Sequence, residues 1–268
     1  MSERPAVPQR REPPPFRRCR VVGAHGRSAT MVRVVLGGSE LVGLERGEPG
    51  SSVRLLLPRD DGVLELPDWN GNEFRWSDGT RARIRTLTPL QVRADAGAGA
   101  AGAELDVDIV LHGTSPLTRW AQAALDGEPV EAAISGTASG YEIDARATSY
   151  VLLGDESAVP AITTLLAELS PSARLVVVVE RRPDAEPVEL PAHSGATVTW
   201  SVLPDGAAPG STLADALDGM ELEPGTRVWA AGEAAGVQRL RKVLFDGRGV
   251  PRSHASIRGY WKAGRDGT

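Results

Sequence analysis

The stretch "SYVLLGDESAVPAITTLLAEL", residues 149–169, predicts the fold of the second half of the chain. It begins as an apolar run typical of a strand buried on both faces, passes through Gly154, and continues with the spacing of an amphipathic helix. A second run, "ARLVVVVE" at 173–180, is again a continuous buried strand. Strands that alternate with helices in this way indicate an open α/β sheet.

The alternation continues to the end of the chain. The segments that follow are predicted as strand, short helix, strand and amphipathic helix: "ATVTWSVL" (196–203), "TLADALDGM" (212–220), "TRVWAAGE" (226–233) and "AAGVQRLRKVLFDGRG" (234–249). The last segment, "SHASIRGYWKAGRDG", is a basic and aromatic tail, in which Arg258, Lys262 and Arg265, with Arg252 just before it, surround Tyr260 and Trp261. A cationic patch with flat side chains suits an anionic aromatic ligand, and a frayed, solvated end is the alternative.

The first half is predicted as short strands with glycine between them and a single helix. The strand segments are "FRRCRVVGAHG" (16–26), "TMVRVVLGG" (30–38), "SSVRLLLP" (51–58), "ARIRTLTPLQV" (82–92), "ELDVDIVLHG" (104–113), "PVEAAISG" (129–136) and "GYEIDA" (140–145). Glu104, Asp106 and Asp108 alternate with apolar residues, which predicts one solvated face. The helix is "SPLTRWAQAALDG" (115–127), capped by Ser115 or Thr118.

These patterns predict an antiparallel β-barrel with one capping helix, followed by an α/β domain. We place a disordered tail at 1–15, the barrel at 16–147 and the α/β domain at 148–268. The net charge of −5 argues against a nucleic-acid surface. No apolar run approaches the roughly 20 residues of a membrane span, and the start of the chain lacks a secretory signal. We therefore expect a cytoplasmic protein and, since nothing indicates an obligate oligomer, a monomer.

Catalysis by metal or by a nucleophilic serine is not indicated. The four histidines are scattered without ligand spacing, and Cys19 is the only cysteine. Ser157 lacks the flanking glycines of a hydrolase elbow.

Ligands of open α/β sheets bind beyond the carboxyl ends of the strands, and two such ends are visible. At the first, Gly154 precedes a helix predicted to begin near Ser157, whose free N–H groups suit a phosphate or carboxylate, although Asp155 and Glu156 oppose an anion there. At the second, Gly232 leaves room for a nicotinamide or ribose. The alternative is that both are ordinary strand-to-helix turns.

Two stretches of the barrel also carry candidate ligand contacts. His112 and Gly113 end a strand just before a helix whose N-terminus can take a diphosphate, while Trp120 in that helix suits the core better than a cofactor platform. "RIRTLTP", residues 83–89, carries more polar side chains than a core strand needs. Arg83 has no assigned contact and is predicted to be a solvated neighbour of the others.

Taken together, these stretches resemble the siderophore-interacting protein family of flavin-dependent ferric-siderophore reductases, which has the ferredoxin–NADP reductase type of fold. The resemblance covers roughly residues 16 to 264. It is carried by "MVRVVLGGSEL", "SSVRLLLP", "RTLTP", "DVDIVLHG", "SPLTRWA", "GDESAVPAITTLLAEL", "VWAAGE", "VQRLRKVL" and "RGYWKAG". It implies an FAD-binding barrel and an α/β domain that binds NADPH or NADH.

The family's flavin strand runs Arg-x-Tyr-Thr and is followed by a second arginine. On this sequence the first arginine is Arg85 and the threonine is Thr88, but Leu87 replaces the stacking tyrosine and Leu90 the second arginine. The resemblance implies that Arg85 donates to the FAD diphosphate, that Thr88 bonds the isoalloxazine edge, and that Leu87 packs on the ring without stacking. Flavin binding is expected to survive with altered strength and potential.

The resemblance implies further contacts. His112 and Gly113 would face the flavin, and the N–H groups near Thr118 to Trp120 would take the diphosphate. The nucleotide contacts would be Gly154, Asp155, Glu156, Gly232 and Glu233. Basic side chains around the flavin would hold an anionic ferric siderophore, which supplies all the iron ligands itself, and the matching residues are Arg54, Arg258 and Lys262.

The choice of nucleotide stays open. Arg181 and Arg182 follow a strand where a 2′-phosphate would be read, which favours NADPH. Glu180 at the same strand end suits a ribose hydroxyl, which favours NADH.

The reading favoured by the resemblance is an FAD enzyme that reduces a ferric siderophore with NAD(P)H and releases iron(II). Because the departures lie on the flavin side, an alternative is a biosynthetic enzyme with FAD as a redox or structural cofactor for an organic substrate. A third possibility is a siderophore-binding protein without catalysis.

Overall fold

The computed structural model describes residues 13–94 and 102–264, so most of the predicted tail lies outside the described residues. The strands of the first half are β1 (Phe16–Ser28), β2 (Met31–Gly38), β3 (Ser52–Leu56), β4 (Asp68–Trp69), β5 (Phe74–Arg75), β6 (Ile84–Leu87), β7 (Gln91–Arg93), β8 (Ala103–Val110) and β9 (Glu131–Ala138). An antiparallel sheet in the order β6-β3-β9-β1-β2-β8-β7 curls around an apolar core of valine, leucine and alanine side chains. The predicted barrel is thus present, although the β4–β5 hairpin was not predicted, and "GYEIDA" is irregular rather than a strand.

Helix α1 (Pro116–Leu125) closes one end of this barrel. Its N-cap is Ser115, whose hydroxyl accepts from the Thr118 amide at 3.1 Å, which decides between the two caps expected from the sequence. Trp120 is buried in the barrel core and donates its indole N–H to the Glu131 carbonyl at 2.9 Å.

The outer face of β8 was predicted to be solvated, and this prediction was wrong. Asp106 and Asp108 are only 7% and 4% exposed. Arg33, opposite on β2, donates two hydrogen bonds to the Asp108 carboxylate at 2.7 and 2.9 Å, and Arg93 on β7 contacts Asp106. The carboxylates are buried because arginines from both neighbouring strands cover them, as buried charges require.

The second half is a parallel sheet with helices on both faces. Its strands are β10 (Ser149–Asp155), β11 (Arg174–Arg181), β12 (Ala196–Val202), β13 (Arg227–Glu233) and β14 (Ala255–Trp261), in the order β12-β11-β10-β13-β14. Its helices are α2 (Val159–Glu168), α3 (Ser211–Asp218) and α4 (Ala234–Arg241), which continues as a π-helix over Lys242–Gly247. The predicted strand–helix alternation is confirmed. The basic tail, however, forms the edge strand β14.

The barrel packs on the α2 side of this sheet. Met31 of β2 lies in the apolar core that α2 shares with Trp229, and the amide of Gly50 donates to the Thr164 hydroxyl at 2.9 Å in the buried interface. We call the junction between the barrel and the α/β sheet the seam.

The buried ion pair on β8 yields a stability prediction. We expect Asp108→Ala to lower the free energy of unfolding by about 3 kcal/mol, because it leaves Arg33 partly buried without its partner. Chemical denaturation followed by circular dichroism measures this. Glu168→Gln, at the exposed pair with Arg46, is the control and should cost less than about 1 kcal/mol. Equal losses in the two variants would contradict the interpretation.

Candidate functional site

The carboxyl ends of three parallel strands meet at one buried carboxylate. Asp155, the last residue of β10, accepts from the Ser157 amide at 2.9 Å and the Ser157 hydroxyl at 2.5 Å. Its other oxygen accepts from the Glu233 amide on β13 at 2.9 Å and from the indole N–H of Trp261 on β14 at 2.7 Å. Burial raises the pKa of Asp155, against the opposing effect of the bonds from Ser157 and Trp261.

Two glycines make this convergence possible. Gly232 has φ +153, and a Cβ there would lie 2.6 Å from an oxygen of Asp155. Gly154 faces Ala158, whose Cβ would lie 2.4 Å from an added Cβ. Both predicted site glycines are therefore needed for the close approach of strand ends.

The carboxylate of Glu233 is likewise used within the site. It accepts from the Gly236 amide at 2.8 Å, which caps α4, and from the Ala263 amide at 3.1 Å. Burial alone would raise the pKa of Glu233, but the backbone N–H donors outweigh it and lower the pKa from 4.5.

The α-helix at the first predicted anion site begins two residues later than the sequence predicted. A 3-10 turn at Glu156–Ala158 follows β10, so α2 begins at Val159 rather than near Ser157. Glu156 is buried and accepts from the Arg182 side chain at 3.0 Å and from the Thr30 hydroxyl of the barrel at 3.3 Å. Two buried carboxylates therefore stand beside this helix start, which is unfavourable for an anion.

The same contacts join the two domains. Arg182 also donates to the Leu111 carbonyl at 3.1 Å, directly before His112. Arg182 therefore connects the two domains across the seam. Because its guanidinium is bonded to Glu156 and to the Leu111 carbonyl, its contacts do not fit the suggestion that it binds a 2′-phosphate.

Glu180 is also committed to the fold, which contradicts its suggested ribose contact. Its carboxylate accepts from the amides of Gly210 and Thr212 at 2.5 and 3.1 Å and from the Thr212 hydroxyl at 2.8 Å. It thereby satisfies backbone donors at the start of α3.

On the barrel side, the register of β6 places the flavin motif at the seam. Arg85 lies opposite Leu55 and Leu87 opposite Val53, so their side chains share the face of the barrel core. Leu87 is half-buried against that core, and Thr88, the next residue, is buried. Because β3 continues to Ser52, which pairs with β9 at its seam end, Thr88 lies nearer the seam than Arg85.

The neighbouring arginines have separate environments. Arg83 pairs with Asp60 and lies over the Trp76 ring at 5.8 Å, which explains the residue left unassigned in the sequence. Arg54 lies opposite Thr86 and is exposed, so it projects from the other face of the sheet than Arg85.

The loop at the end of β8 is held by its own contacts. The Thr118 hydroxyl donates to the His112 carbonyl at 2.9 Å, and the Thr118 amide is taken by the Ser115 cap. The amide of Arg119 donates to the Ser115 carbonyl at 3.0 Å. The amides of Thr118 and Arg119, two of the proposed diphosphate donors, are thus bonded at the start of α1, and the Trp120 side chain lies in the barrel core.

The three candidate substrate residues are not equivalent. Arg258 donates to the carbonyls of Ser139 and Gly140 at 3.2 and 2.8 Å, so it joins β14 to the barrel at the seam. Lys262 is exposed just beyond β14, like Arg54 on the barrel.

Trp261, beside Lys262, is 42% exposed although its indole N–H is fixed by Asp155. The sequence indicated Trp261 only as part of a basic tail, because Ile257 is the one β-branched residue of β14 and gives no clear strand pattern.

The comparisons with known proteins agree with this geometry. Residues 20–137 match the siderophore-interacting FAD-binding domain, and residues 147–264 match the siderophore-interacting protein model. An uncharacterized protein of Mycobacterium tuberculosis is 33% identical, covering 94% of this chain and 92% of its own length. The chain belongs to the siderophore-interacting protein family.

Relatives of known name and solved structures are similar to this chain. The ferric vibriobactin reductase of Vibrio cholerae is 28% identical over 89% of this chain and 86% of its own. The crystal structure of a siderophore utilization protein from T. fusca, 32% identical, has a TM-score of 0.79 and covers 95% of this chain and 96% of its own. A ferredoxin reductase of carbazole 1,9a-dioxygenase, 15% identical, has a TM-score of 0.63 and covers 94% of this chain and 71% of its own. The expected ferredoxin reductase-like fold is therefore confirmed.

The residues present fit the FAD that this family implies. Arg85 offers charged donors for a diphosphate, and Leu87 offers apolar surface for a ring. Gly113 has φ +52, and a Cβ there would meet nothing within 4 Å, so the loop after β8 leaves open space beside exposed His112.

Within residues 13–94 and 102–264, no group of three or more His, Cys, Asp or Glu side chains is placed to hold a metal ion. Within the same ranges, no helix combines the length and apolar character required to cross a membrane.

The lowered pKa of Glu233 yields a pH prediction. The carboxylate stabilises the fold above pH 4.5 and loses this contribution as pH falls through its lower folded-state pKa. We expect Glu233→Gln to lower the free energy of unfolding by about 1 kcal/mol at neutral pH, with the difference shrinking on acidification. Denaturation at several pH values checks this, with exposed Glu221→Gln as control. A difference that grows on acidification would refute it.

Proposed function

We propose that this protein is an FAD-dependent reductase that takes hydride from NADPH or NADH and reduces a ferric siderophore, from which iron(II) leaves. The observation that carries the proposal is the convergence at the seam. The end of the flavin strand at Thr88, the loop at His112 and the Asp155 edge of the parallel sheet all lie there. This brings a flavin-binding barrel next to the strand ends where α/β sheets bind nucleotides.

FAD, when bound, supplies the conversion of a two-electron hydride donor into single-electron transfers. The balance is one NAD(P)H oxidised, two ferric complexes reduced and one proton released. The chain's own part is to hold Arg85 and Thr88 at the cofactor and to keep the nucleotide edge rigid through Asp155. Arg54, Arg258 and Lys262 would add positive charge for an anionic ferric complex, with Arg258 also fixing the seam.

NADPH is the donor that we favour. The carboxylate of Glu180, which suited an NADH ribose, instead accepts hydrogen bonds from backbone amides at the start of α3. Arg181 remains as a cation at the same strand end, with its guanidinium bonded to backbone carbonyls, including that of Ala185 at 2.6 Å. A cation fixed by neutral carbonyls keeps its charge for a phosphate.

The flavin motif yields a binding prediction. We expect Arg85→Ala to weaken FAD binding roughly 10- to 100-fold, because a charge-assisted contact to the diphosphate is lost. We expect Leu87→Tyr to tighten binding roughly three- to tenfold and to quench flavin fluorescence, because it supplies a stacking ring. Fluorescence titration of apoprotein with FAD measures both.

Arg83→Ala is the matched control, since Arg83 lies two residues away and pairs with Asp60 instead. The assignment of Arg85 is wrong if the two arginine variants weaken FAD binding equally.

The redox assignment is tested on FAD-loaded protein without oxygen. We expect NADPH to bleach the flavin absorbance at a lower concentration than NADH does, and a ferric siderophore to restore the colour rapidly. A flavin that never bleaches would favour the alternative of a biosynthetic enzyme or a structural cofactor. Leu87 and Leu90, which depart from the family's flavin motif, are the reason to test this alternative. Tight binding of the ferric complex by protein that cannot be loaded with FAD would instead indicate a binding protein.

A further inference from the structure

Strand β12 forms an edge of the parallel sheet that differs from the other edges of the two large sheets. The strands β6, β7 and β14 lie at those other edges, and each carries an arginine: Arg85, Arg93 and Arg258. The sequence of β12, "ATVTWSV", contains no charged residue and no proline. Charges and prolines on an edge strand discourage pairing with another chain, and β12 lacks both.

The side chains of β12 form an exposed apolar row. Val198 and Val202 are 40% and 43% exposed, and Trp200 between them is half-buried. The three lie on one face because they alternate along the strand, and they continue the row of Val177 and Val179 on β11.

Two backbone bonds fix which groups of β12 are directed outward. The Gly195 carbonyl accepts from the Leu175 amide at 2.8 Å, and the Leu203 amide donates to the Arg181 carbonyl at 2.8 Å. Odd-numbered residues therefore direct their backbone N–H and C=O groups toward β11, since these groups alternate in direction along a strand. The even-numbered residues Ala196, Val198, Trp200 and Val202 direct theirs to the open edge, although the Ala196 amide already donates to the His193 carbonyl at 3.1 Å.

We propose that two copies of this chain associate through antiparallel pairing of their β12 strands about a two-fold axis at Thr199. In this register Ala196 lies opposite the partner subunit's Val202, and Val198 lies opposite the partner subunit's Trp200. Every even-numbered residue then meets an even-numbered one, so Val198 exchanges backbone hydrogen bonds with the partner subunit's Trp200, and the Ala196 carbonyl accepts from the amide of the partner subunit's Val202. The two parallel sheets join into one continuous sheet, and the symmetric contact closes at two copies.

The side chains match in the same register. The apolar rows of the two copies come together on one face, with each Val198 beside a tryptophan. On the other face, which is continuous with Val178, Thr199 meets the partner subunit's Thr199. Each chain carries a net charge of −5, and β12 is a segment where two copies meet without opposing like charges. The strand is complementary to itself, which favours a second copy over a different partner and replaces the monomer expected from the sequence.

A cysteine at the axis tests the register. Thr199 forms a non-hydrogen-bonded pair with its symmetry mate, whose Cα atoms lie about 4.5 Å apart, within disulfide range. We expect full-length Thr199→Cys to form a covalent dimer on mild oxidation, seen on a non-reducing gel. Cys19 is buried and should not contribute. Val42→Cys, at a site 59% exposed on the barrel, is the matched control and should stay monomeric.

Charge at the axis tests the association itself. We expect the sedimentation coefficient of the wild-type protein to rise with concentration toward that of a dimer. Thr199→Glu should lose the dimer species, because it sets two carboxylates face to face, whereas Val63→Glu on the exposed barrel surface should keep it.

A wild-type protein that stays monomeric at every concentration would overturn the proposal. So would a dimer that Thr199→Glu leaves unchanged, or equal crosslinking of the two cysteine variants. FAD binding by Thr199→Glu should equal that of the wild type, so this outcome is independent of the reductase function.

Discussion

The four hydrogen bonds to the buried carboxylate of Asp155 are the constraint on which the carboxyl edge of the parallel sheet depends. They join β10, β13 and β14 through Ser157, the Glu233 amide and Trp261. A buried carboxylate is costly unless such donors surround it, so the three strand ends are fixed relative to one another. The glycine at 232 follows from this arrangement, because an added Cβ would lie 2.6 Å from the carboxylate. Trp261 at the end of β14 is thereby fixed through its indole N–H although the residue is partly exposed.

The alternation of strands and helices could be predicted because it depends on local periodicity. Apolar runs such as 173–180, the cap at Ser115 and the strand-end glycines are all signals within a few residues. The partners of charged side chains could not be predicted in the same way. Glu180 is bound by a turn 30 residues later, and Asp108 by Arg33 75 residues earlier, so a charge at a strand end looked like a ligand contact or a solvated face. Strand β14 was missed because arginine, glycine and aromatic residues interrupt its apolar pattern.

The departures in the flavin motif have a different meaning once the register of β6 is known. Leu87 packs against the barrel core, so the leucine stabilises the barrel while leaving part of its surface for a ring. Arg85, which we propose contacts the diphosphate, lies opposite Leu55 on β3, whereas Arg83, the other arginine of the stretch, pairs with Asp60 and lies over the Trp76 ring. The polarity of residues 83–89 thus has two separate causes, one structural and one assigned to the cofactor.

The arginines at the seam show why charge type alone does not identify a ligand site. Arg182 and Arg258 donate across the seam to backbone carbonyls of the barrel, and each fixes one side of the junction. These guanidinium groups hold the two domains together, whereas Arg54 and Lys262 are exposed and are the residues that we propose meet an anionic complex. Charges held at an exposed rim attract such a complex over distance without matching its shape. A reductase built in this way would discriminate among ferric complexes by their charge more than by their detailed structure.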